Sequence, residues 1–306
     1  MPGADKDWNS KLILFKTEVT EGVDAGPGQV ADAYKVLNYQ PTFMDADGKV
    51  RQVEKAFFGA DPTAMSNFKR GCSFDMEMHG GGTATTPPPW MQMLRYCGFG
   101  APVVGASSVV INPTTSGILS ATGWNYIDDL LLKMLGTRGG VGFTFEDDDY
   151  PRFSFNMLGR PPENLAEQSA PPALIPAGYL TPKIASTEES SFLYGGYAHA
   201  LRRWTMSDNA QLSLKSYINP QDRIKYSNRS WSGEIVIKIP DLTVANPFGN
   251  IRSGATLPAQ AIHGTAAGNI VQIDSPALQV TGNVTLSEED GDTLGTFPVT
   301  ALPVNG

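Results

Sequence analysis

The chain has 306 residues, 41% hydrophobic and 18% charged, enough to bury a large core as one domain or two. A formal net charge of −8 with scattered lysines and arginines excludes a protein that grips nucleic acid through its phosphates, which needs clustered cations. No apolar run is long enough for a membrane-spanning helix, and the opening MPGADKDWNS lacks the apolar stretch of a secretory signal, so the protein is expected to stay where it is made.

With 32 glycines and 23 prolines the chain must turn often, which favours many short strands. LILF (12–15) is the first strand candidate, inside a long, poorly patterned segment, 1–35. NYQPTFMDADGKV then reads as a hairpin turning at Asp47-Gly48. A second poorly patterned stretch, GADPTAMSNFKRG (59–71), reads as a loop. It leads into CSFDMEM (72–78), where Cys72, Phe74, Met76 and Met78 alternate with Ser73, Asp75 and Glu77.

The glycines of HGGGTATTPPPW resemble a phosphate loop only superficially. No Gly-Lys-Ser/Thr follows them, and prolines remove the N–H donors that would hold an anion, so the segment reads as a flexible tip between strand and helix. Residues 86–98 carry a helix pattern. Thr86 stands as N-cap and Pro87 to Pro89 as the first turn; Trp90, Met93, Leu94 and Cys97 form one apolar stripe, and Gly98 is the stop. SVVI (108–111), GFTF (142–145) and RFSFNM (152–157) are further strands.

The proline-rich stretch 159–178 is the best linker, and it prompts a search for a repeat. In the second half a hairpin turning near Asp208-Asn209 precedes the alternating EIVIKI (234–239). A second Pro-started helix follows at 246–254, with Asn246 as cap, Pro247 first and Gly254 as stop, and then NIVQI (269–273) and NVTL (283–286). The offset from Cys72 to Gly233 nearly equals that from Pro87 to Pro247. This reading gives a mainly β fold of two tandem antiparallel sandwich or barrel units, each with one short helix. The units span 1–165 and 179–306, with 166–178 between them.

Candidate chemistry is sparse. His79, His199 and His263 have no metal-ligand spacing, and Cys72 and Cys97 read as buried, reduced thiols. FEDDDY (145–150) and SEEDGD (287–292) are acidic clusters without the spacing of a calcium loop. No catalytic, cofactor-binding or metal-binding residue is assigned. Trp124, Trp204 and Trp231 leave room for a carbohydrate-binding β-sandwich module, and carboxylates brought together by the fold leave room for a β-fold hydrolase.

Four segments, in order, resemble the major tail tube proteins of long non-contractile-tailed bacteriophages, in their double-length variety. They are KLILFKTEVTEGVDAGPG (11–28), HGGGTATTPPPWMQMLRYCGFG (79–100), LGTRGGVGFTFEDDDYPRFSF (135–155) and AIHGTAAGNIVQIDSPALQVTG (261–282). The resemblance implies a non-enzymatic virion protein, assembled in the host bacterial cytoplasm, whose rings stack into a hollow tube. Three duplicated chains or six whole chains would make a ring. Double-stranded DNA would pass through the lumen without specific binding. The tape measure protein, tail terminator and distal tail or baseplate proteins would be its partners. On this reading the acidic loops 146–149 and 287–292 face the bore or the next ring, while 1–35 and 59–71 reach a neighbour.

Overall fold

The computed structural model describes residues 6–57, 59–217, 222–249 and 251–303. The first half contains β1 (Lys11–Thr17), β2 (Ala33–Tyr34), β3 (Leu37–Val50), β4 (Thr63–Glu77) and helix α1 (Trp90–Tyr96). After it come β5 (Val103–Val104), β6 (Val109–Val110), β7 (Ala121–Ile127), β8 (Leu130–Glu146), β9 (Arg152–Arg160) and β10 (Glu167–Gln168). The second half contains β11 (Ser190–Tyr194), β12 (Tyr197–Ala198), β13 (Leu201–Ser207), β14 (Gln211–Lys215) and β15 (Arg223–Asn228). It continues with β16 (Ser232–Lys238), β17 (Thr256–His263), β18 (Val271–Val280), β19 (Thr285–Glu289) and β20 (Asp292–Ala301). The fold is mainly β and antiparallel, as expected. Its largest sheet is open, with β2 and β12 at the two ends of its main path, so the barrel alternative is not realised.

β8 joins the halves. Its first residues pair with β7, its middle with β9, and Gly142–Glu146 with Arg203–Ser207 of β13. A register shift between Leu135 and Arg138, with Gly136 at φ 60°, bends the strand, which serves β7, β9 and β13 and, at its first residues, β10. The strand order is β2-β1-β7-β8-β9-β4-β3 in the first half. In the second it is β12-β11-β17-β18-β20-β16-β13, with β19 sharing an edge of β20.

Alternation fills a main core that runs through both halves. Phe74 stacks on Phe155 at 5.5 Å and meets Phe15 at 5.9 Å; Trp204 meets Phe143 edge-on at 4.9 Å, and Phe248 packs on Phe297 at 5.5 Å. Each fully buried side chain of this size contributes about 1.5–3 kcal/mol. Cys72 and Cys97 are buried free thiols in the same core.

Several local expectations need correction. Asp47 and Gly48 lie inside β3, opposite Ser66 and Met65, and the ladder runs on to Val50 opposite Thr63. A two-residue turn closes a hairpin only when the following run is its partner; here 63–77 is. Asp208-Asn209 is a corner, because β13 pairs with β8 and β16 and leaves β14 to β15. Thr86 does not cap α1: its hydroxyl bonds Thr83, and the helix starts from Pro89 with no side-chain cap. Among the described residues the second helix is absent. Residues 247–249 and 251–254 form turns, with Asn246 Oδ1 accepting from the Phe248 N–H at 3.0 Å, a local bond that competes with helix. The proline-rich stretch lies against the first half, where β10 pairs with β8 and Leu174 covers a small cluster of Leu14, Ala33, Tyr126 and Leu131.

The triple glycine is not a flexible tip. Gly82 N–H donates to Gly268 O at 2.9 Å, and Gly80 N–H to Asn269 Oδ1 at 2.8 Å. A Cβ on Gly80 would fall 2.1 Å from Gly268 O, so the two backbones cross where only glycine fits.

Candidate assembly surface

Beyond Arg70, β3 and β4 pair only with each other. Arg70 to Glu77 also ladder onto β9, but Thr63–Lys69 and Phe43–Val50 form a two-stranded ribbon about 25 Å long. The expected loop 59–71 is therefore mostly strand. An isolated ribbon of this kind is marginally stable in water. This one exposes Phe43, Met44, Met65 and Phe68, and Phe57 near its tip is 84% exposed. Lys69 pairs with Asp45 along it, and Lys55 with Asp61 at the tip.

Arg70 roots the ribbon. It is 1% exposed and, among the described residues, has no carboxylate partner. Its guanidinium donates to Phe43 O at 2.8 Å, to Lys133 O at 2.7 Å and to Leu165 O, tying β3, β8 and the segment before β10 together. The sequence carries a trace of this. Arg70 is in phase with Cys72, Phe74 and Met76, and a charge in an apolar register must be hydrogen-bonded if it is buried. A strand begun at Cys72 leaves Arg70 out.

Of the N-terminal segment 1–35, residues 1–5 lie outside the described residues, β1 sits in the sheet, and 18–35 is held to its own chain. Glu18 does the holding. Its buried carboxylate accepts from the N–H groups of Gly22 and Gly136 and from the hydroxyls of Ser120 and Thr122, all within 2.7–3.0 Å. One of those donors is the bulge glycine of β8.

The two acidic loops, far apart in sequence, meet at Arg202. Its Nε donates to both carboxylate oxygens of Glu289 at 3.0–3.1 Å and its Nη1 to Asp147 O at 3.2 Å, while Glu146 lies 3.8 Å away. Exposed pairs of this sort add little stability; they fix position. Glu146 ends a row on β8 that includes Gly140, Gly142 and Thr144. This row continues across the sheet through Ser73, Ser154 and Thr205, giving a shallow polar face, with Arg152 opposite Thr144 and Arg203 opposite Glu146, each paired with a carboxylate, Asp149 and Glu234. β19 is exposed at every residue and pairs only with β20, which leaves its outer edge open.

The histidines do not converge. His79 Nδ1 bonds Gly80 O at 2.8 Å beside Tyr179, His263 Nδ1 bonds Ser190 Oγ at 2.9 Å, and His199 stacks near Tyr194. Burial pushes the pKa of all three down. Among the described residues no three His, Cys, Asp or Glu side chains are placed to hold a metal. The tryptophans form no sugar platform. Trp204 is wholly buried, Trp231 meets Phe99 edge-on, and Trp124 lies under Lys133 with its N–H on Asp24.

The chain is thus an antiparallel scaffold that presents open strand edges and an apolar ribbon. The family model for the phage tail tube protein matches residues 8–301, and the chain belongs to that family: it is a structural tail tube protein of a bacteriophage virion. No curated protein matches it.

Proposed function

We propose that copies of this chain close into rings that stack into the hollow tail tube, the conduit for double-stranded DNA into the host. Each ring takes three chains. Residues 1–165 and 179–306, joined by 166–178, are two copies of one plan and fill alternate places of a pseudo-sixfold ring. The observation that carries this is the common strand order of the two halves, which lets one half stand where the other does. The shallow polar face lines the bore, with the acidic loops held by Arg202 at its rim. DNA carries one negative charge per about 1.7 Å of axis, so a lining whose arginines, Arg152 and Arg203, are neutralised by Asp149 and Glu234 lets it slide where a basic one would hold it. Assembly takes place in the host cytoplasm, and the tape measure, terminator and distal tail proteins meet the tube within and at its ends. Electron microscopy of the purified chain tests the reading. Rings of three chains with near-sixfold outline are expected; rings of six chains, or a persistent monomer at high concentration, would overturn it.

A further inference from the structure

The joint between the two halves is a template for a joint between two chains. The registers of the halves superpose strand by strand. On β4 and β9, Cys72 faces Met157 and Phe74 faces Phe155; on β16 and β20, Gly233 faces Val299 and Ile235 faces Phe297. The buried face matches, since Phe74, Phe155, Ile235 and Phe297 all lie in the core. Extending the match outward, Gln40 opposite Ser73 occupies the place of Thr205 opposite Glu234. Ser287 opposite Leu294 likewise occupies the place of Thr144 opposite Arg152. Within the chain β13 and β8 are joined, with Thr205 facing Thr144 and Met206 facing Phe143. Their counterparts β3 and β19 each have one free edge in the same chain.

We propose that β3 of one copy pairs antiparallel with β19 of a second copy, Gln40 facing Ser287, and that the ribbon's Met65 and Phe68 pack against that copy's second half. Two independent observations point the same way. In this register Leu286, 61% exposed, faces Pro41, repeating the apolar pair of Phe143 and Met206. The second observation is the ribbon itself. Its counterpart, β14 and β15, is docked on the first half: Ile224 is wholly buried, Arg138 donates to Ile224 O, and Arg229 Nη1 donates to Gly98 O at 2.5 Å. The positions equivalent to Tyr226 and Arg229 are Met65 and Phe68, apolar and 50% and 39% exposed. Their landing place on the second copy corresponds to Gly98 and Arg138, and so lies around Gly254 and Gln279, since Arg138 opposite Leu158 takes the place of Gln279 opposite Thr300. Pro41 withholds one backbone donor, which keeps the joint as short as the five pairs of β8 and β13.

The inference rests on the reading that the chain self-associates, and the test separates the two. The full chain carrying Gln40→Cys with Ser287→Cys is oxidised during assembly and run on a non-reducing gel, and linked peptides are identified by mass spectrometry. Covalent dimers and trimers linked through 40 and 287 are expected. Gln40→Cys with Glu288→Cys should stay unlinked, because a one-residue slip puts the side chains on opposite faces. Rings or tubes in micrographs without the 40–287 link, or with equal linkage in the slipped pair, would overturn the joint and leave self-association standing. No assembly under any condition would overturn both. Phe68→Glu, checked as folded by circular dichroism, should need at least tenfold more protein to assemble; assembly at the native concentration would remove the ribbon from the joint.

Discussion

Replacing Arg70 by methionine tests whether the projecting ribbon is held by its root. Methionine fills much of the same channel but donates nothing, so the carbonyls of Phe43, Lys133 and Leu165 lose a charged donor together. Hydrogen bonds to a charged group contribute about 1.5–3 kcal/mol each, and a buried acceptor left unsatisfied costs about 1–3 kcal/mol. Against this, a guanidinium that is 1% exposed has given up its hydration, and its removal recovers that penalty. The opposing terms leave an expected loss of about 3–5 kcal/mol, similar to breaking a buried charge interaction. For a chain of 306 residues this lowers the melting temperature by about 5–8 °C. Thermal and urea unfolding of the unassembled chain read it directly, and hydrogen exchange should show lost protection at 43–50 and 63–69 before the core opens. Arg70→Lys should recover only part, because a single ammonium does not reproduce the planar fork that reaches three separate segments. A loss under about 1 kcal/mol for Arg70→Met, or full recovery by lysine, would refute the account of the root.

Gly80→Ala should cost about 3 kcal/mol, since its Cβ would meet the backbone of Gly268 and Asn269, which cannot retreat as a flexible side chain would. Gly59→Ala, with nothing within 4 Å, should be neutral in the same urea titration. His79 and His263 are kept neutral by burial, with pKa values below that of a free imidazole. The unfolded chain therefore binds protons that the fold refuses, and stability should fall as pH drops below about 6.5, by at most about 1.4 kcal/mol per unit for each residue. Replacing both by glutamine should flatten the urea midpoint between pH 6.5 and 5.5; an unchanged slope would exclude them. Burial also pushes the Cys72 thiol up to about 12, and Cys97 upward as well, so both should resist a thiol reagent at pH 8 until the chain unfolds.

Much of the local structure was legible because alternation reports directly on burial. Cys72 to Met78, Phe153 to Met157 and Ile235 to Ile239 each read as a strand with one apolar face, and α1 was visible in the spacing of Trp90, Met93, Leu94 and Cys97. The reading failed where a local signal had a stronger competitor. Asp47-Gly48 is a good turn pair, yet the long ladder of β3 on β4 runs straight through it. Asn246 and Pro247 can start a helix, but Gly249 and the Asn246 side chain favour turns. Arg70 and Glu18 went unassigned: the phase of Arg70 with Cys72, Phe74 and Met76 hints at its burial, but no local pattern reveals that carbonyls and N–H groups from distant segments converge on the two charges.

By itself, then, the sequence determined the antiparallel β class, the apolar faces and the resemblance to tail tube proteins, because these depend on which residue types recur at which spacing. Only the tertiary structure decided that β8 bends to join the two halves and that Gly80 and Gly268 must both be glycine. It alone decided that Arg202 gathers two acidic loops, and that β3, β19 and an apolar ribbon are left open. Those features arise from segments far apart along the chain, and their energies exist only once backbone and side chains from different strands occupy neighbouring positions in space.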